Sequence, residues 1–166
     1  MCRVLHNNRG LSLIELVVTM VILGILASLI LPSAQMTSTR VKEIELKRNL
    51  REIRNAIDEY KKNYDKAVQP NLPPPEGPKS GYPIDLQELV KGHDFGGVVK
   101  GKIKFLRRPL TDPFNPPKEG DAPWEAWGKR SSEDESDSNS WGEQDIFDVY
   151  SKSDGKAIDG TKYKDW

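Results

Sequence analysis

From Leu11 to Leu31 the chain is almost continuously apolar, with Glu15 as its one ionisable residue, and the ten residues ahead of it are mostly polar and carry Arg3 and Arg9. Wound as a helix, these 21 residues would reach about 30 Å, the thickness of a bilayer core. Beyond Pro32 the pattern changes to a stripe. Val41, Ile44, Leu50, Ile53, Ile57, Tyr60 and Tyr64 recur mostly at spacings of three and four, with charged residues between them. Residues 32–66 therefore read as an amphipathic continuation of the same helix, packed on whatever sheet follows. Prolines at 70, 73, 74, 75 and 78 then impose an extended connector. Gly81-Tyr82-Pro83 leads into a short helix with Leu86, Leu89 and Val90 turned inward, Val98 to Leu106 reads as a strand around Gly101, and Leu110 to Pro116 reads as a proline-fixed corner. The alternation from Asp145 to Ser151 predicts the best strand of the C-terminal half.

Two features of the first helix carry chemistry. A secretory signal peptide is cut after its apolar region, but the candidate cut here, Arg9-Gly10 before Leu11, lies ahead of it, so processing would keep the apolar segment in the mature chain. Glu15 is the second feature, because a carboxylate in hydrocarbon costs several kcal/mol, on the order of 3, unless it finds a partner. The α-amine freed at Leu11, on its own chain or a neighbouring subunit, is such a partner. Gly24 and Pro32 bracket the stretch where the helix is weakest, since glycine costs backbone entropy and an interior proline removes a hydrogen bond.

Arg9-Gly10-Leu11-Ser12-Leu13-Ile14-Glu15-Leu16, continuing through Gly24 to Pro32, resembles the class III signal of type IV pilins and type II secretion pseudopilins. The likeness includes the glycine before the cut, the glutamate at the fifth mature position and the proline at the twenty-second. Leu11 stands where the family usually has phenylalanine. The resemblance implies that a prepilin peptidase cuts after Gly10 and methylates the Leu11 amine, that Glu15 neutralises the amine of an adjacent subunit during assembly, and that the helix loosens between Gly24 and Pro32. It also implies a type IV pilin-like α+β fold, with a long N-terminal helix packed on a small antiparallel sheet. Gly81-Tyr82-Pro83 with Leu86 and Leu89, and Asp112-Pro113-Phe114-Asn115-Pro116, are similar to the Gly-x-Tyr-Pro element and Asp-Pro turn of the major, G-type pseudopilin of type II secretion systems. Here the turn is one residue shorter and lacks its glycine, and the stretch from Trp124 to Trp141 is longer and more acidic than in that family.

The formal charge is zero but unevenly laid out: Arg40 to Lys66 holds nine basic and six acidic residues, and Asp121 to Trp166 holds six basic and twelve acidic. The acidic end favours cations over nucleic acid. Cys2, the one cysteine, lies in the leader, so no disulfide can staple the mature head. After the Asp145–Ser151 strand, the glycine-bent terminal segment places Asp154, Asp159 and Asp165 in a loop of the kind that supplies carboxylate and carbonyl oxygens to Ca2+. It lacks EF-hand spacing. In major pseudopilins the equivalent loop binds calcium, which makes Asp154 the matched ligand position and Asp159 and Asp165 substitutes. The alternative is that Asp154-Gly155 is ordinary turn chemistry in a solvated tail. Glu133 to Asp137 reads as a mobile surface loop.

Catalysis finds little support: His6 leaves with the leader, His93 stands alone, no cysteine remains, and no glycine-rich phosphate loop follows a strand. The expected organisation is a leader over 1–10, a transmembrane and filament-core helix over 11–31, its amphipathic continuation over 32–66, and a periplasmic head over 67–166. The expected role is not enzymatic. It is that of a structural subunit in a homopolymeric pseudopilus, held by a single pass in the bacterial inner membrane. Its partners would be prepilin peptidase, minor pseudopilins and the inner-membrane secretion platform. A type IV pilin for adhesion or motility is the alternative; the missing cysteine pair favours the pseudopilin. A calcium-dependent binding module merely anchored by its helix is a third reading.

Overall fold

In a computed structural model of the chain, residues 12–69, 74–96 and 101–166 are described, with the backbone alone over 29–35. The fold is α+β. A helix of 55 residues, α1 (Leu13–Ala67), is followed by α2 (Gln87–Lys91) and by two short antiparallel strands, β1 (Trp127–Arg130) and β2 (Asp148–Ser151). Single 3-10 turns at Pro123–Ala126 and Tyr163–Asp165 precede β1 and end the terminal loop. The chain forms two compact units, Met1–Arg40 and Val41–Trp166.

In the first unit α1 runs unbroken through Gly24 and Pro32. Every large apolar side chain from Leu13 to Leu26 is between 46 % and 82 % exposed. Among the described residues no helix is long and apolar enough to cross a membrane. The described side chains of the apolar run cover only 12–28, of which 13–28 are helical, about 24 Å of helix against the roughly 30 Å of a bilayer core; Leu11 and the side chains of 29–31 lie outside them.

The second unit is the head. Leu46, Asn49, Leu50, Ile53, Ala56, Ile57, Tyr60 and Tyr64 form the buried stripe of α1. They share one core with Leu86 and Leu89 at α2, Leu106, Leu110, Trp127 of β1 and Val149 of β2, among others. The stripe differs from the expected one at its start: Val41 and Ile44 are about 60 % exposed, and burial begins at Leu46. The tight approach of the Gly81 loop to α1 explains its glycine. Gly81 has φ +76°, and a Cβ there would sit 2.5 Å from the ring of Tyr64, so both conformation and space favour glycine.

The expected strand at Val98–Leu106 does not form in its described part, 101–106. Ile103 makes a single bridge with His93, and the N–H groups of Phe105 and Leu106 both donate to the carbonyl of Leu89, at 2.9 and 2.8 Å. Those donors satisfy the end of α2 and are unavailable to a ladder. The strand expected over Asp145–Ser151 begins only at Asp148. Ahead of it Ile146 donates to Pro83 and Phe147 to Arg130, while the Asp145 carboxylate, 1 % exposed, accepts from the Ser132 amide and hydroxyl. Its partner β1 lies inside the acidic, tryptophan-rich stretch, where no strand was expected. The Glu133–Asp137 loop is at the surface as expected, yet tied: Asp134 accepts the amides of Ser131 and Gly142, which hold its carboxyl below the usual range.

The Leu110–Pro116 corner turns on a buried acid. Asp112, 0 % exposed, accepts the Phe114 amide at 2.8 Å and the Ser151 hydroxyl at 2.6 Å, and so joins the corner to the end of β2. The indole of Trp127 donates to the Leu110 carbonyl at 2.9 Å from the other side.

Candidate functional site

Two places bear on function: the start of α1 and the terminal loop. Gly10 and Leu11 lie outside the described residues. Glu15 stands in the first turn of α1, exposed, where the helix dipole favours an acid. The spacing of Ser12 and Glu15 is also that of a capping box, and the Leu16 amide closes the first turn on the Ser12 carbonyl at 3.1 Å. A capping role would explain an acid here, but it does not explain what covers the leucines around it.

Besides Glu15, two other polar residues interrupt the apolar run between Leu13 and Ser28. The Thr19 hydroxyl donates to the Leu16 carbonyl at 2.8 Å, and that of Ser28 donates to Ile25 at 2.7 Å. Both therefore spend their donors on the helix itself. The side chains from 13 to 28 present an apolar cylinder marked by one carboxylate and by the gap at Gly24, where a Cβ would meet nothing within 4 Å.

Residues 5–31 match the family described as the prokaryotic N-terminal methylation motif. The chain carries a prepilin-type N-terminus. The matched stretch contains Gly10, Leu11, Glu15 and Gly24 and ends one residue short of Pro32. No curated protein and no solved structure matches the chain.

The terminal loop carries the three acids singled out above as ligand candidates. Asp154, Asp159 and Asp165 are all exposed, and among the described residues no three acids, histidines or cysteines converge on a point that could hold a metal ion. Asp159 turns back on its own loop: one carboxylate oxygen accepts the Thr161 amide at 2.9 Å and hydroxyl at 2.6 Å, bonds that lower its pKa. Lys156 pairs with Lys162 in a small antiparallel bridge, with Ala157 donating to Thr161 at 2.8 Å and Gly160 to Ala157 at 2.9 Å.

That hairpin is fastened to α1 by residues the sequence did not single out. Glu43 accepts the Ile158 amide at 2.7 Å and the Tyr163 hydroxyl at 3.2 Å. Arg54 donates to Asp148 at 2.7 Å, to the Val149 carbonyl at 3.0 Å and to the main-chain oxygen of Trp166 at 2.9 Å, joining helix, strand and loop. The Lys47 ammonium lies 4.0 Å over the Trp166 ring, and the buried Tyr163 ring stacks on Phe114 at 4.0 Å. Burial and the bond to Glu43 push the Tyr163 hydroxyl up to about 12. A signal for this clasp does exist in the sequence: Glu43, Lys47, Leu50 and Arg54 follow one another at spacings of four, three and four, one continuous face of a helix.

A hollow of about 580 Å³ lies over β1, bordered by Lys129, Lys152, Glu125, Trp141 and Tyr150. Burial lowers the Lys129 pKa, and its ammonium sits 4.6 Å over the Trp141 ring. The Lys152 ammonium donates to the Glu125 carbonyl at 2.8 Å.

Proposed function

We propose that the chain is a non-catalytic structural subunit of a type II secretion pseudopilus, a periplasmic filament that helps to drive folded proteins across the outer membrane. One observation carries the reading: the first part of α1 is apolar all round and exposed all round, from Leu13 at 82 % to Leu26 at 51 %, and a helix of that kind needs a bilayer or other helices about it. The precursor waits in the inner membrane as a single-pass protein, with residues 11–31 in the bilayer and the head in the periplasm. Prepilin peptidase cuts after Gly10 and the new Leu11 amine is methylated. Helices of successive copies then bundle, Glu15 meets the amine of a neighbouring subunit and sets register, and the segment between Gly24 and Pro32 loosens to fit the bundle. The homopolymer works with minor pseudopilins and an inner-membrane platform.

The deciding experiment is quantitative mass spectrometry of the medium from a strain lacking the gene, beside its complemented strain. Restored export of a defined set of proteins supports the pseudopilus; an unchanged medium with lost surface fibres makes the chain a type IV pilin. In the same strain Glu15→Ala is expected to be cleaved normally and to stay out of the filament. An uncleaved precursor, or normal incorporation, contradicts the role given to Glu15.

A further inference from the structure

The terminal loop spends several of its own oxygens on its closure. Calcium takes six to eight oxygens at about 2.3–2.6 Å, drawn from carboxylates and backbone carbonyls. Here the carbonyls of Gly155, Ala157, Thr161, Lys162 and Tyr163 already accept the amides of Tyr163, Gly160, Ala157, Asp165 and Trp166. The Trp166 oxygen accepts Arg54, and Asp159 is engaged with Thr161. Asp154 and Asp165 remain exposed, and among the described residues no three acids, histidines or cysteines converge. Lys156 and Lys162 form the bridge at the hairpin's base, and Lys164 follows in the closing turn, three cations within the segment that a calcium site would fill with acids. The residues present do not fit the metal.

We propose that the head of this protein closes its terminal loop without calcium, by a clasp in which Glu43 of α1 holds the Ile158 amide and the Tyr163 hydroxyl while Arg54 holds the main chain at Trp166. Four kinds of contact act at once: a carboxylate on a backbone amide, a guanidinium on a backbone oxygen, a cation over an indole, and two stacked rings. Each fastens the loop to α1 or to the Asp112 corner, the places a disulfide or a metal would otherwise have to reach. Charge-assisted bonds such as those of Glu43 and Arg54 are the stronger class of hydrogen bond. The proposal concerns the head alone and stands whether the filament serves secretion or adhesion.

The test uses the full chain in detergent, with thermal unfolding and amide hydrogen exchange measured in about 1 mM calcium, the weak end of natural calcium sites, and in chelator. The expected result is one melting temperature in both, with equal protection of the Ala157, Ile158 and Gly160 amides. A bound ion at 100 times its dissociation constant would raise the melting temperature by several degrees, and such a rise, or protection that needs calcium, overturns the proposal. Glu43→Ala is expected to lower the melting temperature by about 4 °C in both solutions and to speed exchange at Ile158. An Ile158 amide equally protected in that variant also overturns it. The Asp154→Asn and Asp165→Asn double variant keeps the test independent of the clasp. It is expected to melt like the parent in both solutions, and a loss confined to calcium counts against the proposal.

Discussion

The two ends of α1 are one continuous helix with opposite relations to solvent. Ile22 is 51 % exposed and Ile53 is 0 % exposed, although both are isoleucines in the interior of the helix. What differs is what the chain supplies to cover them. Ile53 belongs to a core that also takes Trp127, Val149 and Leu89; around Ile22 the helix is apolar on all sides. The head buries its own stripe, whereas the described part of the apolar run is exposed along its length. The same substitution made at the two positions therefore separates folding from assembly.

At the covered position the effect is the largest expected. Ile53→Ala removes a fully buried side chain and leaves a cavity, at about 2–5 kcal/mol. Denaturant unfolding of the full chain in detergent should lose that much stability, with a matching fall in the amount of subunit in cells. A loss below about 1 kcal/mol would mean that the core collapses around the gap or that the α1 stripe is not its centre.

The next largest effect is at the corner. Asp112→Ala leaves the buried Ser151 hydroxyl and the Phe114 amide without their acceptor, and a buried donor left unpaired costs about 1–3 kcal/mol. Asp112→Asn keeps an acceptor oxygen and should recover part of the loss. If alanine and asparagine behave alike, the carboxylate oxygens are not what joins the corner to β2.

Much of this contrast could be read from spacing. The apolar run, the stripe from Leu50 to Tyr64, the short helix at Leu86 and the corner at Asp112 all follow from local periodicity and turn chemistry, which is why they stand where expected. The misses share a cause in non-local hydrogen bonding. The strand expected at 98–106 gave up the Phe105 and Leu106 donors to Leu89, and the strand expected from Asp145 started late because Ile146 and Phe147 donate to Pro83 and Arg130. β1 escaped notice because Trp127-Gly128-Lys129-Arg130 has no clean alternation; it is a strand because β2 pairs with it and because the Tyr150 ring lies against Gly128, where a Cβ would clash. In the terminal loop the acidic residues drew attention to themselves, whereas the groups that fasten it, Glu43 and Arg54, look like ordinary solvated helix charges.

The clasp also predicts an alkaline weakness in the head. The Tyr163 hydroxyl is pushed up to about 12 by burial and by Glu43, and burial with Glu88 pushes the Tyr60 hydroxyl up as well. A raised folded pKa gives stability that is complete below the unfolded value of about 10 and is lost as pH rises through the folded one. Stability should thus hold to about pH 10 and fall between about pH 10 and 12. Tyr163→Phe should make that fall shallower, with Tyr60 supplying the remainder. A profile equally steep in the phenylalanine variant would remove Tyr163 from the explanation.

The smallest effect on folding is the one that sharpens the comparison most. Ile22→Ala changes an exposed side chain, and the head should unfold within about 0.5 kcal/mol of the parent, since the core that holds the head begins at Leu46. The same variant removes apolar area from the surface that the proposed bundle buries, about 25 cal/mol for each Å² lost, and a filament repeats that loss at every subunit. The amount of filament relative to free subunit should therefore drop while the melting curve of the isolated protein stays in place. If the head is destabilised by Ile22→Ala, the apolar run is already part of the chain's own fold and needs no second helix to cover it. If neither unfolding nor assembly changes, Ile22 lies off the bundled face, and the same pair of measurements at Val18 and Ile25, one turn before it and one turn after, would find where that face runs.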